Sequence, residues 1–296
     1  MAITGTALPE PPQIHRLPQS KYIDAVRWLP QLTAFNRFAV LALFDSHSSS
    51  LEIHSLNPQT LTLTPNSTWT PPSRISSLRT SQTPTHKPLI AAATFSGSLH
   101  LLFANADLHV GPVSCVDVMD GGAECVTVGE DRRVNLVGVT GSGLSHRRFF
   151  DSDGLVSYTT AKWASPVEFA TGGYGFSLQW WDQRKPGGAV SQFKGSWAQG
   201  TTSGIVHSID IHPSRKHTCL AGGSLGTVFA WDLRWQQQPI ILSGIGAGDA
   251  AIHSACESEV WEVQYDKEGD SKLGWTLSMG KCFLAGNLNS RTNLSF

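Results

Sequence analysis

Apolar and polar residues alternate with a period of two in short runs along most of this chain, and turn residues separate the runs. Residues 113–118, 125–129 and 206–211 show the pattern clearly. A strand points successive side chains to opposite faces, so such runs predict β-strands that are buried on at least one face. No helical period is sustained over a comparable length, and the chain is therefore predicted to be all-β.

One segment of the chain occurs twice, fifty residues apart. Residues 171–184 read Thr-Gly-Gly-Tyr-Gly-Phe-Ser-Leu-Gln-Trp-Trp-Asp-Gln-Arg, and residues 221–234 read Ala-Gly-Gly-Ser-Leu-Gly-Thr-Val-Phe-Ala-Trp-Asp-Leu-Arg. Both copies hold a Gly-Gly pair, a turn, an alternating apolar run and Trp-Asp-x-Arg. Repetition at this period indicates one supersecondary unit stacked several times. Short all-β units repeated in this way predict a β-propeller, in which radial repetition leaves only short sheet edges.

Weaker units of the same kind flank the two copies. Strands are predicted at 22–30, 38–44 and 51–54 in the first unit, at 75–78, 89–94 and 98–103 in the second, at 113–118 and 125–137 in the third, and at 156–163 and 206–211 at the start of the fourth and fifth. Short fourth strands are predicted at 61–63, 148–150, 190–193 and 239–242, and loops in the polar stretches 64–73, 80–87, 196–204 and 243–258. A sixth unit starts at 259–265, and the pattern is lost after it.

This count predicts about five blades and a partial sixth. The predicted organisation is an N-terminal segment (residues 1–20), propeller blades (residues 21–266) and a divergent, irregular C-terminal tail (residues 267–296).

The composition is that of a folded protein, with 40% hydrophobic and 15% charged residues among 296 and a formal net charge of -1. Nucleic-acid binding rests on clustered Lys and Arg, and no run of basic residues exceeds two here, so direct nucleic-acid binding is not expected. No stretch is apolar for the ~18 residues of a membrane span, and the first nineteen residues lack the apolar core of a signal peptide. The five cysteines show no C-x-x-C spacing, which favours a reducing compartment without structural zinc.

Two patterns resemble catalytic or metal-binding chemistry. Residues 222–226, Gly-Gly-Ser-Leu-Gly, fit the G-x-S-x-G nucleophile elbow of serine hydrolases, but that elbow needs a helix after it, and the following run is strand-like. His207, His212 and His217 are closely spaced, but the first two face opposite sides of a strand, and no Cys or carboxylate completes a ligand set. We therefore expect no catalytic residue, metal or cofactor.

The dipeptides Trp181-Asp182 and Trp231-Asp232 are the signature of the WD-repeat family. Three further segments narrow the resemblance: residues 126–136 (Val-Thr-Val-Gly-Glu-Asp-Arg-Arg-Val-Asn-Leu), residues 210–213 leading to 221–223, and residues 259–263 (Glu-Val-Trp-Glu-Val). Together they resemble the small plant-type WD-repeat nucleoporins of the Y-shaped complex in the outer ring of the nuclear pore. The resemblance covers residues 20–266 and is weakest in the second unit.

The resemblance implies a seven-bladed propeller without enzymatic activity, located at the nuclear envelope. Such a subunit docks on an α-solenoid nucleoporin of the Y-complex and serves nucleocytoplasmic and mRNA transport as part of a scaffold. At ~40–45 residues per blade, roughly one and a half of seven blades would be missing after Tyr265. We therefore expect an open ring.

The Trp-Asp-x-Arg endings supply the candidate partner-binding residues. They resemble part of the box by which WD-repeat substrate receptors dock on the adaptor of cullin-4 ubiquitin ligases, which is the alternative function. The favoured interpretation is structural, with each Arg pairing with its Asp and lying over the Trp. Trp180 is expected to be packed between blades. The candidates are Trp181, Asp182, Arg184, Trp231, Asp232, Arg234 and Trp261.

Overall fold

The computed structural model describes residues 20–31, 37–83, 86–101, 104–140, 143–151, 157–175, 177–185, 187–193, 204–226, 228–232, 240–243, 258–265, 274–279 and 282–287. These residues form six antiparallel sheets, taken here as sheets 1 to 6 in chain order. Neighbouring strands in each sheet are also neighbours in sequence. Because the strands alternate in direction, the turns between second and third strands and the links between sheets lie at one edge of the ring, here called the upper edge. The remaining turns lie at the lower edge.

The strands of the first three sheets are these. Sheet 1 contains β1 (Tyr22–Trp28), β2 (Arg37–Phe44), β3 (Ser49–Asn57) and β4 (Thr62–Trp69). Sheet 2 contains β5 (Ile75–Gln82), β6 (Pro88–Thr94), β7 (Ser98–Leu101) and β8 (Ala104–Asp107). Sheet 3 contains β9 (Val113–Val118), β10 (Glu124–Gly129), β11 (Arg133–Thr140) and β12 (Gly143–Asp151).

The last three sheets repeat this arrangement. Sheet 4 contains β13 (Tyr158–Ser165), β14 (Glu168–Gly173), β15 (Leu178–Asp182) and β16 (Ser191–Phe193). Sheet 5 contains β17 (Val206–Ile211), β18 (Thr218–Gly223), β19 (Val228–Asp232) and β20 (Ile240–Ser243). Sheet 6 contains three strands within the described residues, β21 (Val260–Tyr265), β22 (Gly274–Met279) and β23 (Cys282–Asn287). The first strands of consecutive sheets pack against one another, so they line the centre of the ring. The predicted all-β propeller is confirmed.

Three sequence-based expectations differ from the structure. Strand β5 continues to Gln82, so it occupies the first three positions of the loop expected at residues 80–87. Residues 64–73 were expected to form a loop, but β4 occupies the first six of these positions. It is the outer strand of sheet 1 and mostly exposed, so no apolar alternation marks it, and an edge strand tolerates Pro65. Within the tail expected to be irregular, β22 and β23 extend sheet 6. The alternation of Trp275, Leu277 and Met279 was the overlooked signal. The domain boundaries themselves stay a prediction, and residues 1–19 and most of the loops expected at 196–204 and 243–258 lie outside the described residues.

Each first strand of the six sheets carries a β-bulge just after its first apolar residue. The bulge inserts one residue and re-aims the side chains beside it. We number the apolar residue directly before the bulge as i. As a result of the bulge, positions i, i+3 and i+5 of each first strand share the face that meets the preceding sheet. We call these positions the triad. Its members are Ile75, Leu78 and Thr80; Val113, Val116 and Val118; Tyr158, Ala161 and Trp163; Val206, Ile209 and Ile211; and Val260, Val263 and Tyr265 in sheets 2 to 6, with Ile23, Val26 and Trp28 in sheet 1.

The triads form the hydrophobic contacts between neighbouring sheets. The triad of β9, for example, packs with the small and branched residues Leu89, Ala91 and Ala93 of β6. The Gly-Gly pairs of sheets 4 and 5 lie opposite the triads of the following sheets. A Cβ added to Gly172 would lie 2.8 Å from Cγ1 of Val206, and one added to Gly222 would lie 2.7 Å from Cγ1 of Val263. The repeated glycines therefore let the following blade approach closely.

The seam between sheet 6 and sheet 1 differs from the other junctions. In sheet 1 the triad is exposed, with Ile23 at 51%, Val26 at 40% and Trp28 at 55%, whereas Leu78 and Val116 at the second triad position are almost fully buried. Among the described residues, one ion pair bridges this seam, from Nη2 of Arg27 to Oε1 of Glu262 at 3.0 Å. Within the described residues, no sheet covers the triad of β1; the open ring stays a prediction.

Candidate docking surfaces

Trp181 belongs to the core of sheet 4. Its side chain is fully buried, its ring stacks on Phe169 with centroids 5.9 Å apart, and its indole N–H donates to Oγ1 of Thr171 over 2.9 Å. Trp231 is likewise buried in sheet 5. Neither ring has surface to offer a partner, so these two candidates act through packing. The next candidates along the chain, Asp182 and Arg184, lie at the lower edge.

Asp182 and Arg184 form a local clamp. The Arg184 guanidinium donates from Nε and Nη2 to the two carboxylate oxygens of Asp182, each over 2.8 Å, and the Arg184 backbone N–H adds a third bond of 3.0 Å. The Arg184 hydrogen bonds lower the pKa of Asp182 to about 2. The pairing favours the structural interpretation, although the Arg184 side chain remains 65% exposed. In the fifth unit Asp232 is half-buried, and Arg234 lies outside the described residues.

Trp261 is the bulge residue of β21 and is 56% exposed. Earlier bulge residues reach forward to the next sheet: Ser76 donates to the Val113 carbonyl and Thr159 to the Val206 carbonyl. Trp261 itself stacks on His207, the bulge residue of the preceding sheet, with ring centroids 4.4 Å apart. Its exposure thus follows from its place at the seam, and a partner contact there stays a prediction. Trp180, by contrast, is buried between sheets 4 and 5, as expected.

A chain of charges near the axis was not found from the sequence. Position i+4 of the first strands faces the following sheet and holds Arg79, Asp117, Lys162 and Asp210 in sheets 2 to 5. Nε of Arg79 lies 3.2 Å from Asp117, and Nζ of Lys162 lies 3.6 Å from Asp117 and 3.5 Å from Asp210. We call these four residues the axial charge chain. The nearby charge of Asp117, above all, raises the pKa of Lys162.

The two carboxylates of the axial charge chain also accept backbone hydrogen bonds from the following sheets. Asp117 accepts the backbone N–H of Trp163 over 2.9 Å, and Asp210 accepts that of Tyr265 over 2.7 Å. Cation and carboxylate alternate from Asp117 to Asp210, so the charges are compensated where they are buried. The available signal in the sequence was a charged residue between the second and third positions of successive triads.

His109, Asp131 and Thr127 form a further polar cluster, between β9 and the turn after β10. His109 lies 2.8 Å from Oδ1 of Asp131 through Nδ1 and 3.0 Å from Oγ1 of Thr127 through Nε2. The order hydroxyl, imidazole and carboxylate resembles a catalytic triad. However, Thr127 is fully buried, and burial lowers the pKa of His109. No substrate can reach this hydroxyl in the folded protein, so the cluster is structural.

The patterns that suggested a hydrolase or a metal site are not assembled into either. Ser224 accepts the backbone N–H of Ile205 over 2.9 Å, and strand β19, not a helix, follows its turn. His207 stacks on Trp261, while Nδ1 of His212 accepts the backbone N–H groups of Ser214 and Arg215. Within the described residues, no three His, Cys, Asp or Glu side chains are grouped as metal ligands. The helix within the described residues is a single 3-10 turn at Ser224–Gly226, and it has neither the length nor the apolarity to cross a bilayer.

The repeated bulge, triad and Trp-Asp ending place the chain among WD-repeat β-propellers. No family model matches it. Nuclear pore complex protein NUP43 of Arabidopsis thaliana is 58% identical over 290 residues, which cover 88% of this chain and 80% of that protein. Nucleoporin Nup43 of Homo sapiens is 27% identical over 183 residues, and that of Mus musculus 28% over 175, covering 60% and 57% of this chain and 44% and 42% of those proteins. The chain belongs to the Nup43 family of nuclear pore complex proteins.

Proposed function

We propose that this protein is a non-enzymatic scaffold subunit of the nuclear pore complex, placed in the Y-shaped outer ring at the nuclear envelope. It acts by presenting a rigid propeller surface to a helical-repeat nucleoporin, and through that scaffold it serves nucleocytoplasmic and mRNA transport. The observation that carries the proposal is the 58% identity to the Arabidopsis nuclear pore protein over most of both chains.

The structure supports a scaffold role through the way its sheets are joined. Ser77 and Ser208 accept backbone N–H groups from the next sheet over 3.1 and 3.2 Å, in addition to the bonds made by Asp117 and Asp210. Hydrogen bonds repeated between sheets hold neighbouring blades in fixed relative positions. A rigid surface loses little conformational entropy when it binds, which favours docking.

Affinity purification of the tagged chain from plant cells, with quantitative mass spectrometry, tests the proposal, together with imaging of a fluorescent fusion. We expect enrichment of Y-complex nucleoporins and fluorescence at the nuclear rim. A chain that is folded by circular dichroism, yet diffuse in cells and free of Y-complex subunits, would overturn the proposal.

The alternative function, a substrate receptor of a cullin-4 ligase, retains one supporting observation, the exposed Arg184 at the lower edge. The same purification, repeated with Arg184→Ala and Arg234→Ala together, separates the two functions. If the ligase adaptor is recovered by the wild-type chain and lost from this variant, the ligase function is favoured. We expect no adaptor enrichment in either sample.

A further inference from the structure

At the upper edge, apolar side chains of sheets 1 and 2 and of the link to sheet 3 lie near one another, around the side chain of one arginine. Phe44 ends β2 opposite Tyr22, and the Arg74 guanidinium lies over the Phe44 ring at 4.4 Å. The same guanidinium lies 5.8 Å from the ring centroid of Phe95 in the turn after β6. Beyond Phe95, the carbonyl of Gly97 accepts the N–H groups of Leu108 and His109, which brings Val110 alongside. We call Tyr22, Phe44, Arg74, Phe95 and Val110 the upper arc.

Two apolar side chains of the upper arc are strongly exposed to solvent. Phe95 is 48% exposed and Val110 is 73% exposed, although both lie in turns between well-packed sheets. Exposed aromatic and arginine side chains held in one place have the composition of binding hot spots. Neighbouring sheets pack on both sides of sheet 2. The exposure of Phe95 therefore does not arise from the seam.

Arg74 is held in position before any partner arrives. Its Nη2 lies 2.6 Å from Oδ1 of Asp24, and its Nε lies 3.0 Å from Oδ2. The Asp24 hydrogen bonds raise the pKa of Arg74. The ion pair with Asp24 compensates the charge of Arg74, so the arc and Asp24 together carry no net charge. Such a surface does not favour a phosphate, a nucleic acid or an acidic peptide. The partner surface must therefore be largely apolar.

The turn after β6, which carries Phe95, offers no template for an added strand. Phe95 N–H donates to the Arg74 carbonyl over 3.0 Å, Ser96 N–H donates to Oγ of Ser73 over 3.1 Å, and the Gly97 carbonyl accepts two bonds. Strand addition requires a row of unpaired backbone groups. A partner must instead bind through side chains, as an amphipathic helix does with residues spaced three and four apart. We propose that the upper arc is the docking site for an amphipathic helix of a partner nucleoporin.

This inference rests on the proposed function for the identity of the partner, and the experiment separates the two. Tagged wild type, Phe95→Asp, Val110→Asp and the matched control Val190→Asp are purified from plant cells, and each nucleoporin is quantified. Val190 is a 43% exposed valine at the lower edge and is matched to Val110 in size. Urea unfolding of the purified variants checks that all remain folded.

We expect both arc variants to lose about tenfold or more of the directly bound nucleoporin, as hot-spot substitutions do, while Val190→Asp retains it. Recovery equal to wild type by folded arc variants overturns the inference but leaves the proposed function intact. Absence of nucleoporins from the wild-type sample overturns the proposed function first, and the inference with it.

The helical nature of the partner segment is tested by photo-cross-linking. A benzophenone amino acid is placed at position 95 or, as the control, at position 190, and the cross-linked peptides are sequenced. A position-95 adduct in a nucleoporin segment with apolar residues three and four apart supports the inference. Adducts confined to position 190, adducts in segments without that spacing, or no position-95 adduct contradict it.

Discussion

Asp117 joins three sheets, and its removal should destabilise the whole ring. The side chain is 3% exposed and contacts Arg79 of sheet 2, Lys162 of sheet 4 and the backbone N–H of Trp163. Asp117→Asn keeps the shape and an oxygen acceptor for Trp163 but removes the charge. Asp117→Ala removes all three contacts.

The expected decrease in the free energy of unfolding depends on which charged groups each variant leaves without a counter-charge. Breaking a buried ion pair by deleting one partner costs about 3–5 kcal/mol, and the Arg79 and Lys162 side chains are only 21% and 23% exposed. We expect Asp117→Ala to fall at the lower end of that range, because Lys162 keeps Asp210. For Asp117→Asn we expect about 2 kcal/mol, the contribution of a hydrogen bond to a charged group.

Urea unfolding followed by circular dichroism measures these changes in the free energy of unfolding. The control is Asp151→Asn, since the Asp151 side chain is 50% exposed and pairs over 3.0 Å with Arg148, which is 43% exposed; an exposed pair contributes about 0–1 kcal/mol. A double-mutant cycle with Lys162→Met should give a coupling energy of about 0.5–3 kcal/mol. If Asp117→Ala and Asp151→Asn have the same effect, the axial charge chain does not join the sheets as described.

Four further outcomes are expected. Gly172→Ala should lower the free energy of unfolding by about 1–3 kcal/mol by overpacking the junction of sheets 4 and 5; an unchanged urea midpoint would contradict this close approach. Burial, above all, lowers the pKa of His212, so the wild type should lose stability as pH falls below about 6.5 and through the folded-state pKa. The variant His212→Asn keeps a hydrogen-bond acceptor but does not titrate. In urea unfolding, it should therefore lose less stability than the wild type between pH 7 and 5. Arg184→Met should raise the pKa of Asp182 from about 2 toward about 3.9 in a carboxyl NMR titration, and an unmoved titration would exclude Arg184 as the cause. Trp261→Ala should change the free energy of unfolding by less than about 1 kcal/mol, whereas Trp180→Ala should cost about 3–5 kcal/mol; equal effects would refute the difference in burial.

The sequence predicts the parts of this fold in which one physical signal dominates. Buried strands such as β9 and β17 show apolar alternation because a sheet packs on each face, and their predicted bounds match the structure. The exposed edge strand β4 carries no such signal, since neither of its faces is fully buried. Strands β22 and β23 are not predicted by the repeat, because sheet 6 lacks the Gly-Gly pair and the Trp-Asp ending that mark sheets 4 and 5.

The candidate surfaces were harder to predict than the strands, because a docking surface depends on residues brought together from different sheets. Trp181 and Arg184 were singled out together by the motif, yet the structure separates them into a buried ring and an exposed guanidinium. The upper arc joins Phe44, Arg74 and Phe95, and no local pattern connects these positions. Only the stacking of sheets 1 and 2 makes them neighbours.

Exposed apolar residues in this ring have two different origins, and only one of them points to a partner. The triad of β1 and Trp261 are exposed at the seam, whereas the first two triad positions of sheets 2 to 6 are buried. Their exposure therefore follows from the lack of a neighbouring sheet at the seam among the described residues. Phe95 and Val110 lie between sheets that are packed on both sides, and adding a further sheet at the seam would not cover them. A sheet placed against the triad of β1 should thus bury Trp28 but leave Phe95 and Val110 of the upper arc available for docking.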